Sequence, residues 1–226
     1  MPVEPIFLFD TDEKWFPVGV EESLAATKPK FRGPGDVVLD GAADASRLDD
    51  TCVRLDFPSN MRQPDLPLVG YHRVKQAASL HWHQFWLWYL YNPWSVAGVG
   101  KHEGDWEFVQ LGCIDPEGEH PVLVTYSQHH TGSKREFWSA SLENGRPIVY
   151  VARHSHANYL APIDNFEDRA NGRGRKVTSI EWRPFGAWAE WKGRWGNSTG
   201  EGKSPESPGR QQQRWSTPHL FHAAAR

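Results

Sequence analysis

The sequence predicts an all-β chain: an antiparallel β-sandwich with long flanking loops and little helix. Three observations carry that expectation. Between Leu68 and Tyr159 run six segments of β-branched and aromatic character, LVGYHRVKQ, HWHQFWLWYLYN, DWEFVQLGCI, PVLVTYSQHH, REFWSASLEN and RPIVYVARHSH. Two of the links between them, DPEGEH and ENGRP, are short and turn-forming. No helical period separates one run from the next, which argues against alternating strands and helices.

At 226 residues the chain reads as a single domain, 1–226, in three stretches. Residues 1–66 form a loop-rich region broken by proline and glycine. Within it, IFLFD (Ile6 to Asp10) has strand character, and VEESLAAT (Val20 to Thr27) reads as one or two helical turns with acids near its start. Residues 67–160 hold the core strands. Residues 161–226 turn polar, basic and tryptophan-rich: EWRPFGAWAEWKGRWG predicts a strand and a packed irregular segment, and TGEGKSPESPGRQQQRW a coil laid across the surface.

Composition narrows the function classes. A net charge of −3 lacks the basic excess of a nucleic-acid binder. Twelve tryptophans against two methionines indicate an aromatic β core or a surface facing sugar or lipid. Cys52 and Cys113 have no metal or redox spacing and read as buried thiols rather than a disulfide. The N-terminus lacks the basic and apolar regions of a secretion signal, and no apolar run reaches the ~18 residues of a membrane span. The expectation is a soluble cytoplasmic protein, with leaderless export the other route.

The chemistry concentrates in KHEGDWEFVQL, Lys101 to Leu111. Strand alternation places Asp105 and Glu107 on one face with Val109 and Leu111, and turns Trp106 and Phe108 to the other. Carboxylates at i and i+2 lie about 6–7 Å apart along a strand, so both can reach one cation or one water. His102 can fold back over the same face if Gly104 allows a tight approach. Carboxylates beside a core are costly unless paired or metal-bound.

Further histidines stand near strand ends: His81 and His83, His129 and His130, and His154 and His156 at the i, i+2 spacing of one strand face. Together with the carboxylates they predict a shared metal or acid–base site. Metal ligands would be His102, Asp105 and Glu107, with Glu103, His129, His154 and His156 as candidate catalytic groups. Oxygen ligands favour Ca²⁺ or Mg²⁺, whereas imidazoles pull towards Zn²⁺, Mn²⁺ or Fe²⁺. Ser127 and Ser155 lie beside histidines, which leaves a serine nucleophile open. No phosphate-loop, dinucleotide or nucleophile-elbow motif is present.

The blocks HEGDWEFVQL, YSQHHTG, ARHSHANYL and GRWG, in that order, precede a tail containing Pro205, Pro208, Gly209 and Trp215. With FDTDEKWFPV and YNPW they resemble the vacuolar protein sorting-associated protein 62 family. More distantly, HEGDWE is similar to the GHRHDWE signature of the necrosis- and ethylene-inducing peptide-like cytolysins. That resemblance implies a β-sandwich with a divalent cation in an acidic cavity that engages a sphingolipid head group. His102, Asp105 and Glu107 match the signature's metal-associated residues. Glu103 and Gly104 replace its arginine and histidine, and YNPWSVAGVGK has no aspartate, leaving Asn92 as the substitute.

Two functions follow as expectations. One is a metal-dependent enzyme acting on a small molecule or head group, by hydrolysis or by a lyase or cyclase step, with His129 or His156 as acid or base. The other is a non-catalytic, metal-assisted binder of a sugar or lipid head group, with peripheral membrane contact through Trp188, Trp191 and Trp195. A structural ion that ties loops together is the third reading.

Overall fold

The computed structural model describes residues 2–36, 38–39, 53–95, 100–129, 131–197 and 203–221. Its centre is a six-stranded sheet in the order β16–β5–β6–β7–β8–β9. The strands are β5 (Val69–Ala77), β6 (Leu80–Asn92), β7 (His102–Cys113), β8 (Pro121–Gln128), β9 (Thr131–Glu136) and β16 (Glu181–Arg183). From β5 to β9 they form an antiparallel meander, and β16 joins β5 in parallel. The β5–β6 hairpin closes through Ala78 and Ser79, both at positive φ (51° and 64°), the twist that a two-residue hairpin turn requires.

A second sheet packs against one face. In it β1 (Ile6–Phe9) lies between β11 (Arg146–Val151) and β15 (Lys176–Val177), while β10 (Leu142–Glu143) and β12 (Asn158–Tyr159) pair with β11. The parallel pairing of β1 with β11 departs from the all-antiparallel expectation. These strands come from distant parts of the chain, so no tight hairpin dictates their direction. Two small sheets complete the chain: β2 (Lys30–Arg32) between β3 (Val38–Leu39) and β4 (Arg54–Asp56), and β13 (Ile163–Asp164) with β14 (Arg169–Ala170). Among the described residues helix is confined to α1 (Val20–Thr27), α2 (Gln212–Trp215) and short 3₁₀ turns. No helix among the described residues is long and apolar enough to cross a membrane.

The central sheet is buried on both faces, which explains why HWHQFWLWYLYN is apolar almost without interruption. Phe85, Leu87, Tyr89, Val109 and Leu111 pack on Phe7, Phe9, Val149 and Val151 of the second sheet. Trp86, Trp88, Trp106 and Phe108 pack on Phe31, Leu55 and the C-terminal Trp191, Trp195 and Phe221. Trp86 stacks on Phe108 with centroids 4.5 Å apart, a contact worth about 0.5–1.5 kcal/mol beyond its buried area.

Several sequence expectations change here. REFWSASLEN is not one strand: β9 ends at Glu136, a 3₁₀ turn spans Phe137–Ser139, and β10 is a separate two-residue strand. The C-terminal coil is more than a surface strap, because it covers the tryptophan face of the sheet and buries Ser204 and Ser207. Trp191 and Trp195 are core residues, 5% and 1% exposed, and Trp188 packs on Tyr71 at 4.6 Å. Cys113 is a buried free thiol, and Cys52 lies outside the described residues.

Candidate functional site: a carboxylate cleft at one end of the central sheet

The alternation read from HEGDWEFVQL holds from Gly104 onwards. Asp105 and Glu107 point towards the second sheet, with Val109 and Leu111 further along the same face. They sit where that sheet stops, so their carboxylates open into a cleft of about 780 Å³ instead of a closed core. Gly104 sits inside β7 at φ 67°, and a Cβ there would lie 2.1 Å from the Trp195 carbonyl oxygen. Only glycine satisfies both constraints. His102 also lines the cleft, and its Nδ1 lies 2.7 Å from the Gly104 carbonyl oxygen.

Asp105 and Glu107 are almost fully buried, 7% and 3% exposed. Asp105 Oδ2 accepts from Asn92 Nδ2 and pairs with His156 Nδ1, both at 2.9 Å. His156 is itself buried, stacked flat on the Tyr89 ring at 3.9 Å, and its Nε2 faces Glu13 Oε1 at 3.7 Å. That separation is an electrostatic contact, too long for a hydrogen bond. Burial opposes a charge on His156, but Glu13 and Asp105 outweigh it and raise its pKa to about 9. Glu13 comes from the N-terminal loop and accepts the backbone N–H groups of Lys14, Trp15 and His154. Despite its own burial, the charge of His156 and these bonds hold its carboxyl below the usual range.

Glu107 has the weaker support. Its Oε2 accepts the Ser127 hydroxyl, while burial, against the opposing pull of Arg214, pushes its pKa up to about 8. At the cleft wall His129 Nε2 lies 2.7 Å from Asp168 Oδ2. Asp168 is buried and also accepts the hydroxyls of Ser155 and Tyr159. Burial lowers the proton affinity of His129, but Asp168 reverses that and the net shift is upward. The Trp94 ring lines the same cleft 5.2 Å from the His129 ring, and its Nε1 donates to the Glu167 carbonyl.

Of the sequence-derived candidates, His102, Asp105, Glu107 and His129 therefore line one cleft, and His156 stands directly behind Asp105. Asn92 and Ser155 line it as well, and among the described residues the remaining candidates do not reach it. Glu103 is turned away, accepting the backbone N–H groups of Phe57 and Asn197 at 3.1 and 2.8 Å. His154 and His156 are not on a strand: residues 153–155 form a turn, and both histidines have positive φ (72° and 54°). Alternation does not apply there, and only His156 turns inward. His83 lies at the far end of the hairpin against His72, with ring nitrogens 3.2 Å apart. His130 is outside the described residues. The Ser127 and Ser155 hydroxyls donate to Glu107 and Asp168, and neither donates to an imidazole.

Sequence reasoning missed Glu13, Asp168 and Arg214. Glu13 lies in the FDTDEKWFPV block, read only for its family likeness, Asp168 lies in a loop with no motif of its own, and Arg214 sits in a stretch whose low hydrophobicity pointed to surface coil.

A divalent cation would need several of these donors free and convergent. Among the described residues no group of three or more His, Cys, Asp or Glu is placed to hold a metal ion. One oxygen of Asp105 serves Asn92 and His156, one of Glu107 serves Ser127, and the guanidinium of Arg214 also lines the cleft. These contacts engage one oxygen of each carboxylate with protein partners.

Comparison with solved structures returns low-identity resemblances. One is a toxin fold for microbial attack and plant defense (9% identity, 81% of this chain and 70% of that one, TM-score 0.45). Another is NLPPya in complex with mannosamine (12%, 74% and 68%, 0.43), and a third the non-toxic HaNLP3 protein (15%, 74% and 69%, 0.44). No curated protein matches the sequence. The sequence profile of one family matches residues 90–172, the segment that carries Asp105, Glu107, His129, His156 and Asp168. Over that segment the chain is matched to the vacuolar protein sorting-associated protein 62 family, the one its HEGDWEFVQL block resembles.

Proposed function

We propose that the cleft binds a polar, hydroxyl-rich small molecule or sugar-like head group. The observation that carries this reading is the pairing of two nearly buried carboxylates, Asp105 and Glu107, with the Trp94 ring on the walls of one open cleft. Carboxyl oxygens accept hydrogen bonds from neighbouring hydroxyls, and an aromatic ring offers a surface to the apolar face of a sugar. Asn92 and His156 hold Asp105 in place before any ligand arrives, which lowers the ordering cost of binding.

Saturation-transfer NMR with a panel of monosaccharides, inositols and their phosphates tests the proposal. The expected result is contact with at least one class, weakened about tenfold or more by Glu107→Gln or Trp94→Ala, as loss of a buried hydrogen bond or stacking surface implies. A panel with no binder, or binding that ignores both substitutions, would sink it.

A second reading, acid–base turnover of the bound molecule, is favoured by His129. Its ring is oriented by Asp168 at 2.7 Å, and it shares the cleft with Glu107, whose pKa of about 8 leaves a proton to donate near neutrality. Product formation from a bound ligand that disappears in His129→Gln, with binding retained, is the expected signature. Ligand recovered unchanged after long incubation would leave binding alone.

A further inference from the structure

The C-terminal segment delivers a cation into the carboxylate cleft. Arg214 follows a coil that runs over the tryptophan face of the central sheet, and its guanidinium lines the cleft together with Asp105 and Glu107. The attachment is specific. Nη2 donates to the backbone carbonyl of His129, and Nη1 donates to Gln211 Oε1 at 3.1 Å. The guanidinium carbon lies over the Phe108 and Phe221 rings, 5.7 and 5.2 Å from their centroids. These contacts leave part of its donor fork for the cleft.

The segment is held from below by two glutamines that are fully buried in the sheet. Gln84 Nε2 donates to the backbone carbonyl of Arg214, and Gln110 Nε2 donates to that of Pro218 at 2.9 Å. Gln84 and Gln110 also bond to each other at 2.9 Å. Lys134 Nζ donates to the His219 carbonyl at 2.6 Å, and the Arg73 guanidinium lies 3.6 Å over the Trp215 ring. A buried polar ladder of this kind is worth keeping only if the strap it fixes has a set place.

Resting on the head-group reading above, we infer that Arg214 is the specificity-determining residue of the cleft: a tethered internal cation that takes the position of charge balance against Asp105 and Glu107, so that the site receives its ligand without a divalent ion. The chemistry supports this in two ways. Two carboxyl groups turned towards the same space ionise together only where positive charge stands nearby, and the His156 cation serves Asp105 alone. A guanidinium fixed by the chain supplies such charge permanently, and its field raises the energy of any second cation brought between it and the carboxylates. The absence of a three-donor metal group among the described residues agrees with that assignment.

Ion binding tests the inference independently of any ligand. Tb³⁺ luminescence, sensitised by Trp94 and Trp106 at the cleft, and Ca²⁺ calorimetry are measured on the full chain and on two variants. Arg214→Gln removes the charge and keeps a donor for the His129 carbonyl; Arg214→Lys keeps the charge. The wild type and Arg214→Lys are expected to bind both ions weakly, and Arg214→Gln about tenfold or more tightly. Equal affinity in all three proteins, or tight binding by the wild type, overturns the inference. The wild-type titration decides even if Arg214→Gln does not fold. If the sugar panel yields a binder, wild-type binding is expected to be unchanged by a chelator. Chelator-sensitive binding would overturn Arg214's role and leave the head-group reading intact, whereas an empty panel would do the reverse.

Discussion

At one end of the β5–β6 hairpin, His72 and His83 stack with ring centroids 5.3 Å apart, and Phe85 closes over His72 at 4.9 Å. At the other end, His156 stacks on Tyr89 with Asp105 on one ring nitrogen and Glu13 facing the other. Both places bury imidazoles against aromatic rings on the same face of the same strands. Burial together with the second imidazole pushes His72 down to about 4, whereas two carboxylates raise His156 to about 9. Burial beside another imidazole thus makes a histidine a neutral residue. A carboxylate partner turns it into a fixed cation, and here that cation holds Asp105 in the cleft.

The sharpest way to break this contrast is to remove a carboxylate. Asp105→Ala leaves the His156 charge buried with only the longer Glu13 contact, and should cost about 3–5 kcal/mol in urea unfolding. A loss below about 1 kcal/mol would mean that His156 is neutral in the folded chain. Glu13→Gln is milder, about 1–3 kcal/mol, since the amide oxygen can still accept some of the three backbone N–H groups. In that variant the His156 titration followed by NMR should move down from about 9; an unmoved curve would assign the shift to Asp105 alone.

Stability against pH tests both ends together. His72 titrates near 4 when folded and 6.5 when unfolded, so the unfolded chain takes the proton first and stability falls as pH drops from about 6.5 to about 4. His156 works in the other sense: its stabilisation is complete below 6.5 and is lost as pH rises through about 9. Glu107 works in the same sense over a lower window: its stabilisation is lost as pH rises from about 4.5 through about 8. His72→Gln should flatten the acid arm and leave the alkaline arm unchanged. An acid arm of the same slope in the variant would remove His72 from the account. The smallest effect belongs to a surface histidine: His120 pairs with Asp115 at 3.0 Å but is 73% exposed, so His120→Ala should leave the urea midpoint unchanged within error.

How much of this was legible in the sequence depends on whether a residue's direction follows from local geometry. β1 and α1 were readable because IFLF and VEESLAAT carry their own patterns. Asp105 and Glu107 were readable because alternation is strict after Gly104. His154 and His156 were misread because their turn puts both in left-handed backbone, where period two has no meaning. Glu103 stands next to the left-handed Gly104 and faces the Phe57 and Asn197 amides. Asp168 and Glu13 reach the site through tertiary packing, since the residues they meet, His129 and His156, are 39 and 143 positions away in the numbering. No local pattern encodes such a meeting.

The glutamine pair beneath the C-terminal segment has a consequence for how the cleft is built. Gln84 and Gln110 grip Arg214 and Pro218 by their carbonyl oxygens, a feature almost every amino acid presents alike. At these two points the sheet therefore recognises the path of the segment through its backbone. The position of residue 214 along the cleft is set by the strand scaffold, and the direction of its guanidinium by its own bonds to His129 and Gln211.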